Sequence, residues 1–181
     1  LSGFFIYYTP SKGLDIQFMD VGQGDGIFIK ADDGTTITID GGSSDVKNVA
    51  KYRMIPCIKA SGTGVIDYAV ITHADKDHIS EIEEILNMNT ENGLTIRNLV
   101  MPHVSYEDEA YDELLTAAKT KGIQVLYIKE GDTMKLGKVE IKCIHPDGKY
   151  ISDNRNDYST VLSLKYENFS ALFTGDIPAE I

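Results

Sequence analysis

Thr72-His73-Ala74-Asp75-Lys76-Asp77-His78 holds the densest group of metal-ligand side chains in this chain. It places two of the four histidines and two aspartates within six positions, as His-x-Asp-x-Asp-His. The apolar run Val65-Ile66-Asp67-Tyr68-Ala69-Val70-Ile71 precedes it and predicts a strand over 65–72. Ile79, Ile82, Ile85 and Leu86 follow at helical spacing and predict a helix near 79–88. Four potential metal ligands therefore sit on a turn between a strand and a helix. Neutral imidazoles and carboxylates are the usual ligands of Zn²⁺, Mn²⁺ and Fe. The positive end of a helix dipole also favours the two carboxylates. A solvated helix-start turn would account for His73 or Asp77 alone, but not for four ligand-type side chains in so short a span.

Outward from this motif, the first third reads as β. Leu14–Asp20 alternates apolar and polar residues, and Ile27–Lys30 and Thr35–Asp40 flank an Asp32-Asp33-Gly34 turn, a hairpin signal. The intervening Gly22-Gln23-Gly24-Asp25-Gly26 has no Lys-Ser/Thr pair and precedes a strand, so it fails both nucleotide-loop patterns and reads as a tight turn. A helix is expected from Asp45 to about Lys59, bent or restarted at Pro56. Beyond the motif come a short strand at 96–101 and a helix from about Tyr106 to Lys121. Ser105 and Asp108 are spaced like a capping box at its start, and Gly122 stands as its C-terminal cap. The last third returns to β at 124–129, 138–144, 160–166 and 171–174, with Glu167-Asn168 as a hairpin turn. Strands outnumber helices, and hairpins alternate with strand–helix units, which predicts a mixed sheet.

Composition narrows the function. The chain has 181 residues, 42% hydrophobic and 25% charged, enough for one substantial domain. A net charge of −11 argues against a basic nucleic-acid grip, while leaving room for a nucleic-acid substrate held through metal ions. Cys57 and Cys143 form neither a disulfide framework nor a Cys-x-x-Cys pair, and read as buried small apolar residues. No window approaches the roughly 18 apolar residues that a membrane helix needs. Leu1–Tyr8 is short and apolar and begins without Met, so residues 1–13 read as a tail or linker cut from a longer protein, ahead of a domain over 14–181.

A second acidic strand end, Phe173-Thr174-Gly175-Asp176, supplies what the first motif lacks. Taken as the end of another strand in the same sheet, Asp176 could bridge two metal ions about 3.5–4 Å apart. With this pair in place the chain resembles the metallo-β-lactamase superfamily. Its signature is His-x-His-x-Asp-His after a strand, a later His, and a bridging Asp often found in Thr-Gly-Asp. Phe18-Met-Asp-Val-Gly-Gln-Gly-Asp25, Ile39-Asp40-Gly-Gly42, Thr72–His78, and Asn156-Asp-Tyr-Ser159-Thr-Val-Leu162 followed by Phe173-Thr-Gly-Asp-Ile177 are similar to one branch of it. That branch is the C-terminal domain of the DNA-uptake channel protein ComEC and its free-standing relatives, and the similarity covers nearly all of residues 14–181.

The resemblance implies an αββα sandwich with mixed sheets and a metal-dependent hydrolase holding one or two divalent ions, Zn or Mn. By position, His73 and Asp75 would contact the first metal and Asp77 and His78 the second, with Asp176 bridging and Asp77 also the catalytic candidate. Asp75 stands where the family usually has His, which hardens the site toward Mn²⁺ or Mg²⁺. The family's third histidine ligand is not evident upstream of Asp176; Asn156, Asp157 and Ser159 occupy that place, as an Asn-x-x-Ser stretch does in the branch, with Asp157 as a substitute ligand or Asn156 and Ser159 as hydrogen-bonding partners of water or substrate. Asp25 and Gln23 are implied at the substrate, while Asp40, beside Gly41-Gly42, is read as an acceptor that buttresses the ligands. His103 and His145 read as surface and turn residues.

The family continues past this point with a helix, a strand and a His-His-Gly-Ser-like turn. The expectation is therefore a C-terminally truncated domain with an incomplete second metal site and an open sheet edge, through which copies could pair as a homo-oligomer. The implied partners are single-stranded or duplex DNA as substrate and a membrane-channel parent protein. Two other readings stay open: a hydrolase of small esters, lactones or nucleotides, and a catalytically inactive interaction module.

Overall fold

Asp15–Phe18 (β1), Ile27–Lys30 (β2) and Thr36–Ile39 (β3) form an antiparallel meander, whose β2–β3 hairpin the Asp32-Asp33-Gly34 turn predicts, in a computed structural model describing residues 13–88, 94–104, 108–149, 152 and 154–181. The chain then passes through a π-helical turn, Ala50–Met54, into a short helix, Ile55–Ala60 (α1). This corrects the expected helix from Asp45. Ser43 Oγ accepts from the backbone N–H groups of Asp45 and Val46, which holds that segment in a local turn. Pro56 lies in the first turn of α1, where its missing N–H costs nothing.

Val65–Val70 (β4), Thr95–Pro102 (β5) and Gln124–Ile128 (β6) join β3 in parallel, giving a six-stranded sheet in the order β1 to β6. Lys76–Asn87 (α2) and Glu109–Thr120 (α3) supply the crossovers. The sheet is mixed, as the sequence implies. The N-cap of α3 is Asp108, whose carboxylate accepts from the Ala110 N–H; the expected capping partner, Ser105, lies outside the described residues. Gly122, with φ of 69°, follows the end of α3 as its cap.

Thr133–Leu136 (β7), Val139–His145 (β8), Val161–Tyr166 (β9) and Phe169–Phe173 (β10) make a second, antiparallel sheet, ordered β10-β9-β8-β7. β7 is an addition to the sequence reading. Its Thr-Met-Lys-Leu is too short and too polar to stand out before its pairing with β8 is known.

Two cores account for the layers. One lies between the six-stranded sheet and the helices and contains Phe28, Ile58, Ile66, Ile82 and Leu99. The other lies between the two sheets and contains Ile29, Ile37, Ile39, Ile141, Leu162 and Leu164. β2 and β3 are covered on both faces, so every residue in them is buried. All three α-helices pack on the first sheet; among the described residues no helix covers the outer face of the second. The described part of the αββα architecture is therefore helices, sheet, sheet.

This arrangement corrects one premise of the sequence reading. The strands that end in the His-x-Asp-x-Asp-His motif and in Thr174-Gly175-Asp176 belong to different sheets. Their C-terminal ends meet at one rim of the sandwich, where Thr160 N–H donates to the Thr72 carbonyl. No helix among the described residues is long and apolar enough to cross a membrane.

Candidate metal centre

The rim is built from five segments. β4 ends at Val70, and Ile71–Ala74 lead directly into α2. α2 buries His78, Ile79, Glu81, Ile82, Ile85 and Leu86, the stripe that the isoleucine spacing predicts. This amphipathic docking turns His78 inward. The Gly41-Gly42 turn after β3 and the Gly22–Gly26 turn after β1 pack against the start of α2. Gly41 N–H donates to the His78 carbonyl, and Asp25 N–H to the Asp77 carbonyl. A Cβ on Gly42 would lie 2.5 Å from the Asp77 carbonyl carbon, so only glycine lets the two backbones approach this closely. On the far side, the second sheet contributes Ser159 and Gly175-Asp176. A Cβ on Gly175, which has φ of 51°, would meet Thr72 Oγ1 at 2.9 Å.

Asp40 organises the centre. It is fully buried, with φ of 54°, and its carboxylate accepts three hydrogen bonds. They come from Thr72 N–H at 2.7 Å, the Thr72 hydroxyl at 2.6 Å and His78 Nδ1 at 2.9 Å. Because the Thr72 hydroxyl donates to Asp40, its oxygen is left to accept from His73 Nδ1, 3.1 Å away. Ser159 Oγ lies 3.3 Å from the same nitrogen. Both imidazoles are thus fixed at Nδ1, and each directs Nε2 into the rim.

There the two rings stand 4.1 Å apart, centroid to centroid. Ligand atoms of His73, His78 and Asp176 all lie within 4.8 Å of one another, and those of Asp25, Asp40 and His78 form a second such group. His78 Nε2 is 3.4 Å from Asp176 Oδ2. His73 Nε2 is buried without a hydrogen-bond partner, and Asp75 Oδ2 stands off at 3.6 Å. A buried nitrogen lone pair aimed at a second imidazole and a carboxylate fits a divalent cation better than it fits a closed hydrogen-bond network.

The charges agree with this. Burial, reinforced by the neighbouring His78, pushes His73 below the ordinary histidine pKa and keeps it neutral. Burial works the same way on His78, but the Asp40 hydrogen bond and charge, with Asp176 and Asp25, outweigh it and raise its pKa to about 9. Without a metal, His78 therefore carries a proton between two carboxylates. Burial also raises Asp25 above the usual carboxylate range.

Of the residues singled out from sequence, the structure brings His73, His78, Asp176, Asp40, Asp25 and Ser159 together. Asp77 lies half-buried in the first turn of α2, outside the two groups of converging ligand atoms. Asp75 is the N-cap of α2, yet its carboxylate makes no capping bond and is engaged by Arg155. Asn156 sits in a 3₁₀ turn, Arg155–Tyr158, and acts through its backbone, with Ser159 N–H donating to its carbonyl at 3.0 Å. Asp157 takes the Ser152 hydroxyl and the Asn154 amide, bonds that organise its own loop. His145 bonds the Asp157 carbonyl and braces that loop, and His103 is exposed, edge-on to Tyr127. Cys57 and Cys143 are both free, the former half-buried and the latter buried.

Three relevant residues were not picked out from sequence. Thr72 had the clearest signal, a polar residue closing an apolar strand just before the motif. Arg155 had none, being 80 positions from the aspartate it contacts. Glu81 hides within the buried stripe of α2, with both carboxylate oxygens unpartnered.

Similarity to solved structures identifies the architecture. YhfI of Bacillus subtilis, a metallo-β-lactamase fold protein, superposes with a TM-score of 0.55 over 88% of this chain and 62% of its own, at 13% identity. This chain has the metallo-β-lactamase fold. CmlA of Streptomyces venezuelae, a diiron β-hydroxylase, shares the fold with a TM-score of 0.52 over 92% of this chain and 30% of its own, at 18% identity. Metallo-β-lactamase folds at such identities fix architecture and leave chemistry to the site itself. Among curated proteins, ComE operon protein 3 of Bacillus subtilis (strain 168) is 26% identical over 189 residues, which cover 97% of this chain and 24% of the relative. The chain thus spans about a quarter of the curated relative's length, and that match agrees with the resemblance to the competence-protein branch. No family profile matches the chain.

Proposed function

We propose that this domain is a metal-dependent hydrolase of phosphodiesters, acting on DNA in a competence setting. The observation that carries the reading is the convergence of His73 Nε2, His78 Nε2 and the Asp176 carboxylate, with His73 Nε2 buried and without a hydrogen-bond partner. His73, His78 and Asp176 would hold a divalent cation, Zn or Mn, with Asp75 at its margin and Asp25 completing a second position beside His78. A cation there supplies Lewis acidity and lowers the pKa of a water it binds.

The chain's own residues do the remaining work. Asp40 accepts hydrogen bonds from His78 Nδ1–H and from the Thr72 hydroxyl, so the two rings keep one tautomer and one orientation. Such partners commonly account for about 10–100-fold in metal affinity. Asp25 stands beside His78 and Asp40, its ligand atom within 4.8 Å of theirs. Gly24 and Gly42 bring backbone close to the motif, and Ser159 Oγ lies 3.3 Å from His73 Nδ1. DNA as the substrate class rests on the resemblance to the competence-protein branch, with which the match to ComE operon protein 3 agrees; the net charge of −11 counts against a basic grip and leaves cations as the means of holding a phosphodiester.

The test is hydrolysis of bis-p-nitrophenyl phosphate and of single-stranded and duplex DNA by protein loaded with Mn²⁺ or Zn²⁺, with His78→Ala and Asp176→Asn as controls. Activity lost in both variants supports the reading. Turnover of lactones or carboxylic esters alone would move the chain to the small-ester reading. A rival, an interaction module without catalysis, draws on one specific observation: Arg155 is already paired with Asp75 of the motif. Absence of bound metal in the purified and metal-supplemented protein would favour it.

A further inference from the structure

We propose, resting on the metal-site reading above, that Arg155 is a positioning residue that sets metal affinity by orienting Asp75. Asp75 occupies the N-cap of α2, where an aspartate ordinarily turns its side chain back to accept a backbone N–H. Here the carboxylate makes no such bond. The Asp75 carbonyl alone accepts from His78 N–H and Ile79 N–H. The side chain is released toward the rim, and Arg155 takes it up, Nη1 donating to Asp75 Oδ1 at 3.2 Å. The other oxygen, Oδ2, is thereby left facing His73 Nε2 at 3.6 Å.

Arg155 is itself anchored. Its Nε donates to Asp108 Oδ2 at 2.6 Å and its Nη2 to Asp108 Oδ1 at 3.1 Å, a two-point fork. Asp108 is nearly buried and fixed as the N-cap of α3. The guanidinium therefore ties the start of α3 to the start of α2, and the turn that carries it also presents Ser159 to His73. Among the described residues, the ion pairs made by the rim carboxylates come from the two histidines and Arg155. A lysine could not span both aspartates in this way, because its ammonium is a point donor on a flexible stem.

Orientation and charge predict opposite results. If Arg155 acts by aiming Asp75 Oδ2, its loss weakens metal binding; if it acts only by neutralising Asp75, its loss strengthens it. The experiment is a titration of Mn²⁺, and separately Zn²⁺, into wild type, Arg155→Gln, Asp75→Ala and the double variant, followed by calorimetry. Circular dichroism and thermal unfolding report the fold of each. The expected result is an affinity about tenfold or more lower in Arg155→Gln, with less than a twofold further effect of Arg155→Gln on the Asp75→Ala background. Asp108→Asn keeps the cap acceptor and breaks the fork, so it should fall between wild type and Arg155→Gln even if the latter folds poorly. Equal or tighter binding in Arg155→Gln, or the same loss with and without Asp75, overturns the proposal while leaving the metal site standing. Wild type that takes up neither ion overturns both.

Discussion

Replacing Asp40 by Asn exchanges one oxygen for an NH₂ and tests the organisation of the centre directly. Asn tolerates the left-handed backbone at this position, where φ is 54°, so the turn itself should survive. The amide oxygen can still accept from Thr72 N–H. The amide nitrogen then faces His78 Nδ1 and the Thr72 hydroxyl, and both must become acceptors. His78 is driven to the tautomer protonated at Nε2, which removes the lone pair meant for a cation.

The size of the effect follows from the charge balance. His78 is raised from 6.5 to about 9, and at about 1.4 kcal/mol for each pH unit the interval corresponds to about 3 kcal/mol, of which Asp40 supplies the largest favourable part. A folded-state pKa above the unfolded one stabilises fully below pH 6.5 and fades as pH rises through 9. Asp40→Asn should therefore cost about 2–3 kcal/mol near pH 6. The deficit should shrink above pH 9 to about 1 kcal/mol, the worth of one remaining hydrogen bond. Urea unfolding of the metal-free proteins at both pH values reads this, and a titration of Mn²⁺ should show about 10–100-fold weaker binding. An unfolding deficit that is the same at pH 6 and pH 10, or unchanged Mn²⁺ affinity, would show that Asp40 does not hold His78 in this state.

Other outcomes follow from the same structure. Because His78 holds a proton up to about pH 9 and a metal must displace it, Mn²⁺ affinity should rise with pH by about tenfold per unit between pH 6 and 8; calorimetry in buffers of different ionisation heat should count close to one released proton. Glu81 is buried in α2 with neither oxygen partnered, and burial pushes its pKa well above the usual carboxylate value. Glu81→Met should therefore stabilise by about 1–3 kcal/mol. Since the folded pKa is the higher one, that gain should be larger at pH 8 than at pH 4, as denaturant midpoints will show. Gly42→Ala would force a methyl to within 2.5 Å of the Asp77 backbone, which cannot yield as a side chain could. A loss of about 1–3 kcal/mol with weaker metal binding is expected from thermal unfolding and titration.

Much of this was legible in the sequence because the decisive residues sit on strongly patterned elements. The isoleucine stripe of α2 fixes which way His78 faces, and the apolar β4 fixes where the motif turn emerges. Asp40 was readable as a buttress because Gly41-Gly42 ends its strand. What stayed hidden depends on contacts across the chain. Nothing local tells Asp75 to forgo its capping bond; its carboxylate is taken up by a guanidinium from the 155–158 turn. The placement of Asp176 in a second sheet rests on β8–β9–β10 pairing, which short alternating runs do not reveal. Residues 45–49 look helical by composition, but the Ser43 hydroxyl satisfies their first N–H groups and delays the helix.

Anomalous diffraction from crystals grown with Mn²⁺ or Zn²⁺ shows whether His73, His78 and Asp176 hold a divalent cation. An anomalous peak in contact with His73 Nε2, His78 Nε2 and the Asp176 carboxylate, absent from His78→Ala crystals, is the expected result. No peak among these three residues at saturating metal, with His78 still bonded to Asp40 and Asp176, would contradict it.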